Sequence, residues 1–224
     1  MRLESTEYTS YLYDYTTDVD AKKNFDIWLK DKEILDDNNT INISKLLNKK
    51  GVTDIGKNAF CFENDLISVI LPSTIKNIDD TAFARCKNLE EIQFKDGIVK
   101  IGSMAFSECK NLRNIKLPDT VQELGYYIFS YNTNLSSIIL SQNLKILRKS
   151  EFEDCTNLTT ITIPKSVNNI EVDLNGDWTN SVFKGCTNLT EVNIEQGSSL
   201  LVNNQPTSEL AQKLGVIIDK IHVK

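Results

Sequence analysis

The chain is poor in the residues that carry most enzymatic chemistry. Its 224 residues include a single histidine, His222, and nothing in the sequence assembles a nucleophile and an acid around it as a hydrolase triad would need. A zinc-binding HExxH helix, a Gly-x-Ser-x-Gly elbow and a paired-cysteine metal signature are all missing. No apolar run is long enough to span a bilayer, which argues against membrane insertion. Basic excess is lacking too: 25 Lys and Arg face 31 Asp and Glu, a formal charge of −6, whereas a nucleic-acid grip needs a basic stripe. The acidity is dispersed and reads as solubility. These absences point to a non-enzymatic protein with no catalytic residues, metal ligands or cofactor.

Two short matches fail on inspection. "GVTDIGKN", residues 51–58, reads Gly-x-x-x-x-Gly-Lys, but asparagine stands where a phosphate loop needs Ser or Thr to hold magnesium. Asp173, Asn175 and Asp177 alternate like the opening of a calcium loop. Its sixth and twelfth positions should be Gly and Glu, and here they are Trp178 and Lys184.

What the chain has in abundance is a repeat. Phenylalanines fall at Phe60, Phe83, Phe106, Phe129, Phe152 and Phe183, at intervals of 23, 23, 23, 23 and 31 residues. Leu66, Leu89, Leu112, Leu135, Leu158 and Leu189 give the same five intervals. Two series that agree through an eight-residue insertion, between Ile170 and Phe183, are not coincidence. Val52 and Ile55 align with Ile75 and Ile78, and Gly56 with Gly102 and Gly125, so "GVTDIGKN" is the first unit's share of the repeat rather than a nucleotide site.

One unit reads "IVKIGSMAFSECKNLRNIKLPDT". Its Leu-x-x-Ile-x-Leu segment is the strand signature of a leucine-rich repeat, and alternation in "LRNIKL" turns Ile115 and Leu117 inward. The phrasing "IGxxAFxxCxxLxxIxLP" over roughly residues 43–197 resembles the BspA-like, or treponemal-type, leucine-rich repeat family. The resemblance implies bacterial or protist surface proteins associated with adhesion to host proteins and other cells. It therefore implies a secreted or cell-surface location. The start "MRLESTEYTSYLYDY" has no apolar core of a secretion signal, which keeps an intracellular location open.

The expected architecture is an α/β repeat solenoid. A parallel sheet lines its concave face, short helices or 3-10 turns present the phenylalanines opposite, and caps close both ends. Residues 1–42 form an N-terminal cap: Tyr11, Tyr13 and Tyr15 alternate as in a strand, and Phe25, Trp28 and Leu29 share a helical face. The solenoid covers 43–197, with Ile43 and Leu46 continuing the strand columns backward from Leu66 and Val69. Residues 198–224 form a C-terminal cap, in which "PTSELAQKLG" is a helix stopped by Gly215 and "VIIDKIHVK" one or two strands. The cysteines Cys86, Cys109, Cys155 and Cys186 each follow a repeat Phe by three residues, with Glu63 and Asn132 at the equivalent places. That spacing belongs to the solenoid and predicts free, buried thiols.

The candidate partner-binding residues are the outward strand columns. They comprise Ser68, Glu91, Asn114, Ser137, Thr160 and Glu191, with Ile70, Gln93, Lys116, Ile139, Thr162 and Asn193. Secondary candidates are Tyr126, Tyr127 and Tyr131, at positions polar in other units, and Trp178 in the insertion. The expected function is a binding or adhesion module for a protein or glycan, host extracellular matrix included, with self-association through the tyrosines possible. The alternatives are a structural spacer in a larger surface protein and, less favoured, a glycan-acting enzyme.

Overall fold

The computed structural model describes residues 2–3, 40–41, 53–64, 66–171 and 181–224. Each repeat makes one coil with two parallel strands. The longer set comprises β2 (Thr40–Ile41), β4 (Ser68–Ile70), β6 (Glu91–Gln93), β8 (Asn114–Lys116), β10 (Ser137–Ile139), β12 (Thr160–Ile163), β14 (Glu191–Ile194) and β15 (Ile221–Val223). The shorter set comprises β1 (Arg2–Leu3), β3 (Asp54–Ile55), β5 (Asn77–Ile78), β7 (Lys100–Ile101), β9 (Glu123–Leu124), β11 (Ile146–Arg148) and β13 (Asn169–Glu171). The sheets run β2-β4-β6-β8-β10 and then β12-β14-β15 on one side, and β1-β3-β5-β7-β9 and then β11-β13 on another.

Register follows the repeat. Ser68 opposes Glu91 and Ser137 opposes Asn114, each 23 residues apart. The insertion is placed by the change of offset: Asn169 opposes Ile146 at the usual 23, whereas Glu191 opposes Thr160 at 31. The eight extra residues therefore fall between β13 and Ser181. Ile55, the core residue of "GVTDIGKN", sits in β3 against Ile78 and is fully buried, while Lys57 is exposed on the following turn. Val52 lies outside the described residues.

The third side of each coil is a ladder of turns. Within a coil, 3-10-type bonds such as Ala82 N–H to Asp79 O and Cys86 N–H to Phe83 O close the turns. Every fourth residue then swings to positive φ, at Asn58, Thr81, Met104, Tyr127 and Ser150 and again at Phe62, Arg85, Glu108, Tyr131 and Asp154. This is the left-handed region that bulky and β-branched residues rarely enter. The reversals prevent a continuous helix and aim alternate amides along the solenoid axis. Phe60, Phe83 and Phe106 donate to Ala82, Ala105 and Ile128 carbonyls at 2.7, 2.8 and 3.0 Å. Inter-coil bonding on this side offsets the cost of the strained φ values, because a buried amide without a partner is worse.

Inside the coils the phenylalanines stack. Ring centroids of Phe60, Phe83, Phe106, Phe129, Phe152 and Phe183 follow one another at 5.1, 5.2, 6.0, 5.7 and 5.5 Å. Beside them runs a ladder of side-chain donors. The thiols of Cys86, Cys109, Cys155 and Cys186 reach the carbonyls of Phe60, Phe83, Phe129 and Phe152 at 3.0–3.1 Å. Asn132 does the same for the Phe106 carbonyl, through its amide at 3.0 Å. The column selects a small donor, which is why asparagine can replace cysteine there. All five cysteines are free, and burial pushes Cys61 up to about 11 and Cys186 up to about 12. Cys109→Ala is expected to lower stability by about 1 kcal/mol by removing one of the two donors to the Phe83 carbonyl and leaving only the long bond from Cys86 N–H, and Cys109→Ser by less. Urea melts of the two variants check the order.

The ends depart in detail from expectation. In front, Ile41 of β2 opposes Val69, not Leu46, so the strand that joins the sheet precedes residue 43. The stretches holding Tyr11, Tyr13, Tyr15, Phe25, Trp28, Ile43 and Leu46 lie outside the described residues. At the back, helix α1 (Ser208–Leu214) is capped by the Thr207 side chain, which accepts from Leu210 N–H, and ends at Gly215 with φ of 76°. It buries Leu210, Ala211 and Leu214, and its Lys213 and Leu214 carbonyls accept from Val182 and Phe183, replacing a further coil's turns. "VIIDKIHVK" makes one 3-10 turn (Ile218–Lys220) and one strand, β15, parallel to β14.

Candidate binding surface

The outward faces of β4, β6, β8 and β10 surround a hollow of about 750 Å³. It is lined on the strands by Ser68, Glu91, Gln93, Asn114, Lys116, Ser137 and Ile139, with Ile67, Glu90 and Arg113 at the strand entries. Inward residues of the same strands, such as Val69, Ile92, Ile115 and Ile138, are core. Alternation therefore leaves the outward residues free of core duty, and Ile139 is 54% exposed and Ile67 39%.

The remaining predicted residues divide. Thr160 and Thr162 are exposed on β12, Ile70 and Glu191 are half-buried, and Glu191 meets Lys224 at 3.7 Å. Asn193 is the departure, at 3% exposure. The closing strand β15 runs beside it, with His222 its register partner on one side and Thr162 on the other, so its column is flanked by the cap. Asn193 is unavailable to a partner.

The tyrosine cluster also divides. The Tyr126 hydroxyl donates to Glu171 at 2.5 Å, Glu171 pairs with Arg148 at 3.2 Å, and the Arg148 guanidinium covers the Tyr126 ring at 5.5 Å. Arg148 also donates to the Leu124 carbonyl. The bond to Glu171 raises the Tyr126 phenol above its ordinary value. Tyr126 is thus a structural clasp between coils. Tyr131 is 41% exposed, close to the 44% of Met104, and the Glu153 carboxylate raises its phenol. Tyr127 is half-buried at a left-handed turn position. Trp178 lies outside the described residues.

No cluster of metal-ligating side chains occurs among the described residues, and no described helix is long and apolar enough to cross a membrane. Sequence reasoning missed Ile67, Glu90 and Arg113. They precede the strands proper and line the hollow beside the outward columns.

The chain was compared with known proteins. The family model described as "BspA type Leucine rich repeat region" matches in 6 copies over residues 53–190. Among solved structures, the leucine-rich repeat protein of T. pallidum is 27% identical with a TM-score of 0.58, over 73% of this chain and 77% of its own. The pneumococcal vaccine antigen PcpA is 26% identical with a TM-score of 0.54, over 66% of this chain, which spans only 37% of PcpA's length. No curated protein matches the sequence. The repeated motif, the parallel ladders and the family model agree: the chain belongs to the BspA-type leucine-rich repeat family.

Proposed function

We propose that the chain is a non-enzymatic binding module that takes a protein or glycan partner, host extracellular matrix among the candidates, on the outward face of its long strands. The hollow on that face carries the reading. Its exposed Ile139 and Ile67 and its outward polar side chains make no contribution to the core, and four coils meet there at once. Short Ser, Thr and Asn side chains lose little rotamer entropy when a partner docks. A surface location fits the family, and PcpA is described as a vaccine antigen.

The test begins with a ligand found by screening matrix proteins and glycans. Gln93→Arg with Thr162→Arg is expected to weaken its binding by at least about tenfold, the size of one lost hot-spot contact. Tyr127→Ser with Tyr131→Ser should leave binding unchanged. The reverse ranking, with both variants folded, moves the site to the turn side, where Met104 and Tyr131 are the exposed apolar groups. Equal binding by both variants places the site on neither surface, and a screen that yields no ligand favours the spacer reading.

A further inference from the structure

The hollow is ordered in charge from coil to coil. Coil one brings Ile67 and Ser68 to its edge, the next brings Glu90 and Glu91, the third Arg113 and Lys116, and the fourth Ile139. Glu91 receives a hydrogen bond from Gln93 at 2.9 Å, but Glu90, Arg113 and Lys116 make no ion pair among the described residues. Lys95 and Asp96 add one charge of each sign at the rim. Neighbouring coils thus present unneutralised charges of opposite sign between two apolar ends.

From this order, and resting on the binding role proposed above, we infer that the face receives a protein helix laid along the solenoid axis. The facing side of that helix carries a base and an acid between two apolar residues. The spacing supports a helix. Strands lie about 4.8 Å apart, so the coils that carry Ile67 and Ile139 are separated along the axis by three steps, about 14 Å, with Ile139 three residues further along its strand. Positions i, i+3, i+7 and i+10 lie on one helix face and span about 15 Å, which gives one side chain per coil. An extended peptide repeats on one face about every 6.8 Å and meets only three of the four coils.

The partner's base sits over Glu90 and Glu91 and its acid over Arg113 and Lys116, while its apolar ends cover Ile67 and Ile139. The lining also favours protein over sugar. Its single aromatic ring, Phe94, is half-buried against Phe106, with centroids 5.7 Å apart, so a sugar ring has at most one aromatic side chain to stack on.

The test is selection from a helical peptide library, randomised on one face, against the whole chain. Peptides selected on the natural chain should carry opposite charges three or four residues apart between apolar positions. Selection on Arg113→Glu with Lys116→Glu should replace the acid by a second base. The first set of peptides should bind that variant at least about tenfold more weakly, because like charges then face each other. Peptides of one charge sign, binding unchanged by the double variant, or a library that yields no binder would overturn the inference. Ser137→Arg, which fills the hollow, separates the two claims. Peptides that ignore it overturn the sheet face as the site, whereas peptides that it blocks but that show no charge order overturn only the helix reading. Blocked binding confined to a glycan array would keep the face and overturn the protein partner.

Discussion

Replacing Phe106 by alanine is expected to destabilise the solenoid by about 4–5 kcal/mol, the upper part of the range for a buried Phe→Ala change. Phe60→Ala should cost about 3 kcal/mol, the lower part. Phe106 is fully buried, stacks on Phe83 at 5.2 Å and Phe129 at 6.0 Å, and receives the edge of Phe94 at 5.7 Å. Its loss empties the middle of the column and breaks three aromatic contacts, each worth about 0.5–1.5 kcal/mol beyond burial. Phe60 is 5% exposed and stacks on Phe83 at 5.1 Å, and one period before it the sequence has Asp37 rather than another ring. Repeat stability is a sum of neighbour terms, so an interior ring counts towards two interfaces. Urea melts of both variants decide it. A smaller loss for Phe106→Ala would mean that the coils are not held by this stack.

The second large effect concerns Glu151. In the column beside the phenylalanines stand Ala82, Ala105, Ile128 and Val182, and among them Glu151 is fully buried. Neither carboxyl oxygen has a hydrogen-bond partner among the described residues, and the neighbouring Ser150 hydroxyl has none either. Burial drives the carboxyl well above the ordinary 4.5 of a glutamate, and the Arg148 charge and backbone only partly oppose it. A raised acid holds its proton in the folded chain and gives it up in the unfolded one. Its contribution to stability is full below pH 4.5 and is lost as pH rises through the folded value. Glu151→Leu is therefore expected to raise stability by about 2–3 kcal/mol at pH 8, the usual scale for a buried charged group without partners, and to change it little at pH 4. Glu151→Gln removes the titration while keeping the shape, and should flatten the pH dependence in the same sense. Denaturant melts at the two pH values check both variants. A gain independent of pH would show that the carboxyl titrates alike in the folded and unfolded chains.

The strand and phenylalanine columns were legible because burial there is all-or-none. These two columns hold apolar residues at fixed spacing, so Leu89, Ile92 and Phe83 announce their places. The left-handed turn positions were not legible. Met104, Thr81 and Tyr131 are poor residues for positive φ, and what holds them there is hydrogen bonding to the next coil, which no local propensity encodes. The role of the cysteine column could have been read from one substitution: Asn132 shares with cysteine a small size and a donor, and little else. On the candidate surface, alternation identified the outward residues of β4 to β12. It failed at Asn193, where the flanking strand comes from the cap rather than from a repeat. The front register, with Ile41 rather than Leu46 against Val69, failed for a related reason: the period ends before the first full coil, and pairing there obeys the chain's path.

The axial direction of the hydrogen bonds has a consequence for how such a molecule can change length. Each coil offers the next the same set of donors and acceptors, so the broken ends left by removing one whole unit fit each other. A gain or loss of 23 residues moves the far end by one strand spacing, about 4.8 Å, and leaves every ladder closed. Fractions of a unit have no such solution and must be expelled sideways. The ladder stays closed on either side of the insertion after β13, where Ser150 N–H meets the Ser181 carbonyl and Phe152 N–H the Val182 carbonyl. The length of this protein is thus quantised: recombination can lengthen or shorten it in whole steps, while smaller changes appear only as outgrowths on an unchanged rod.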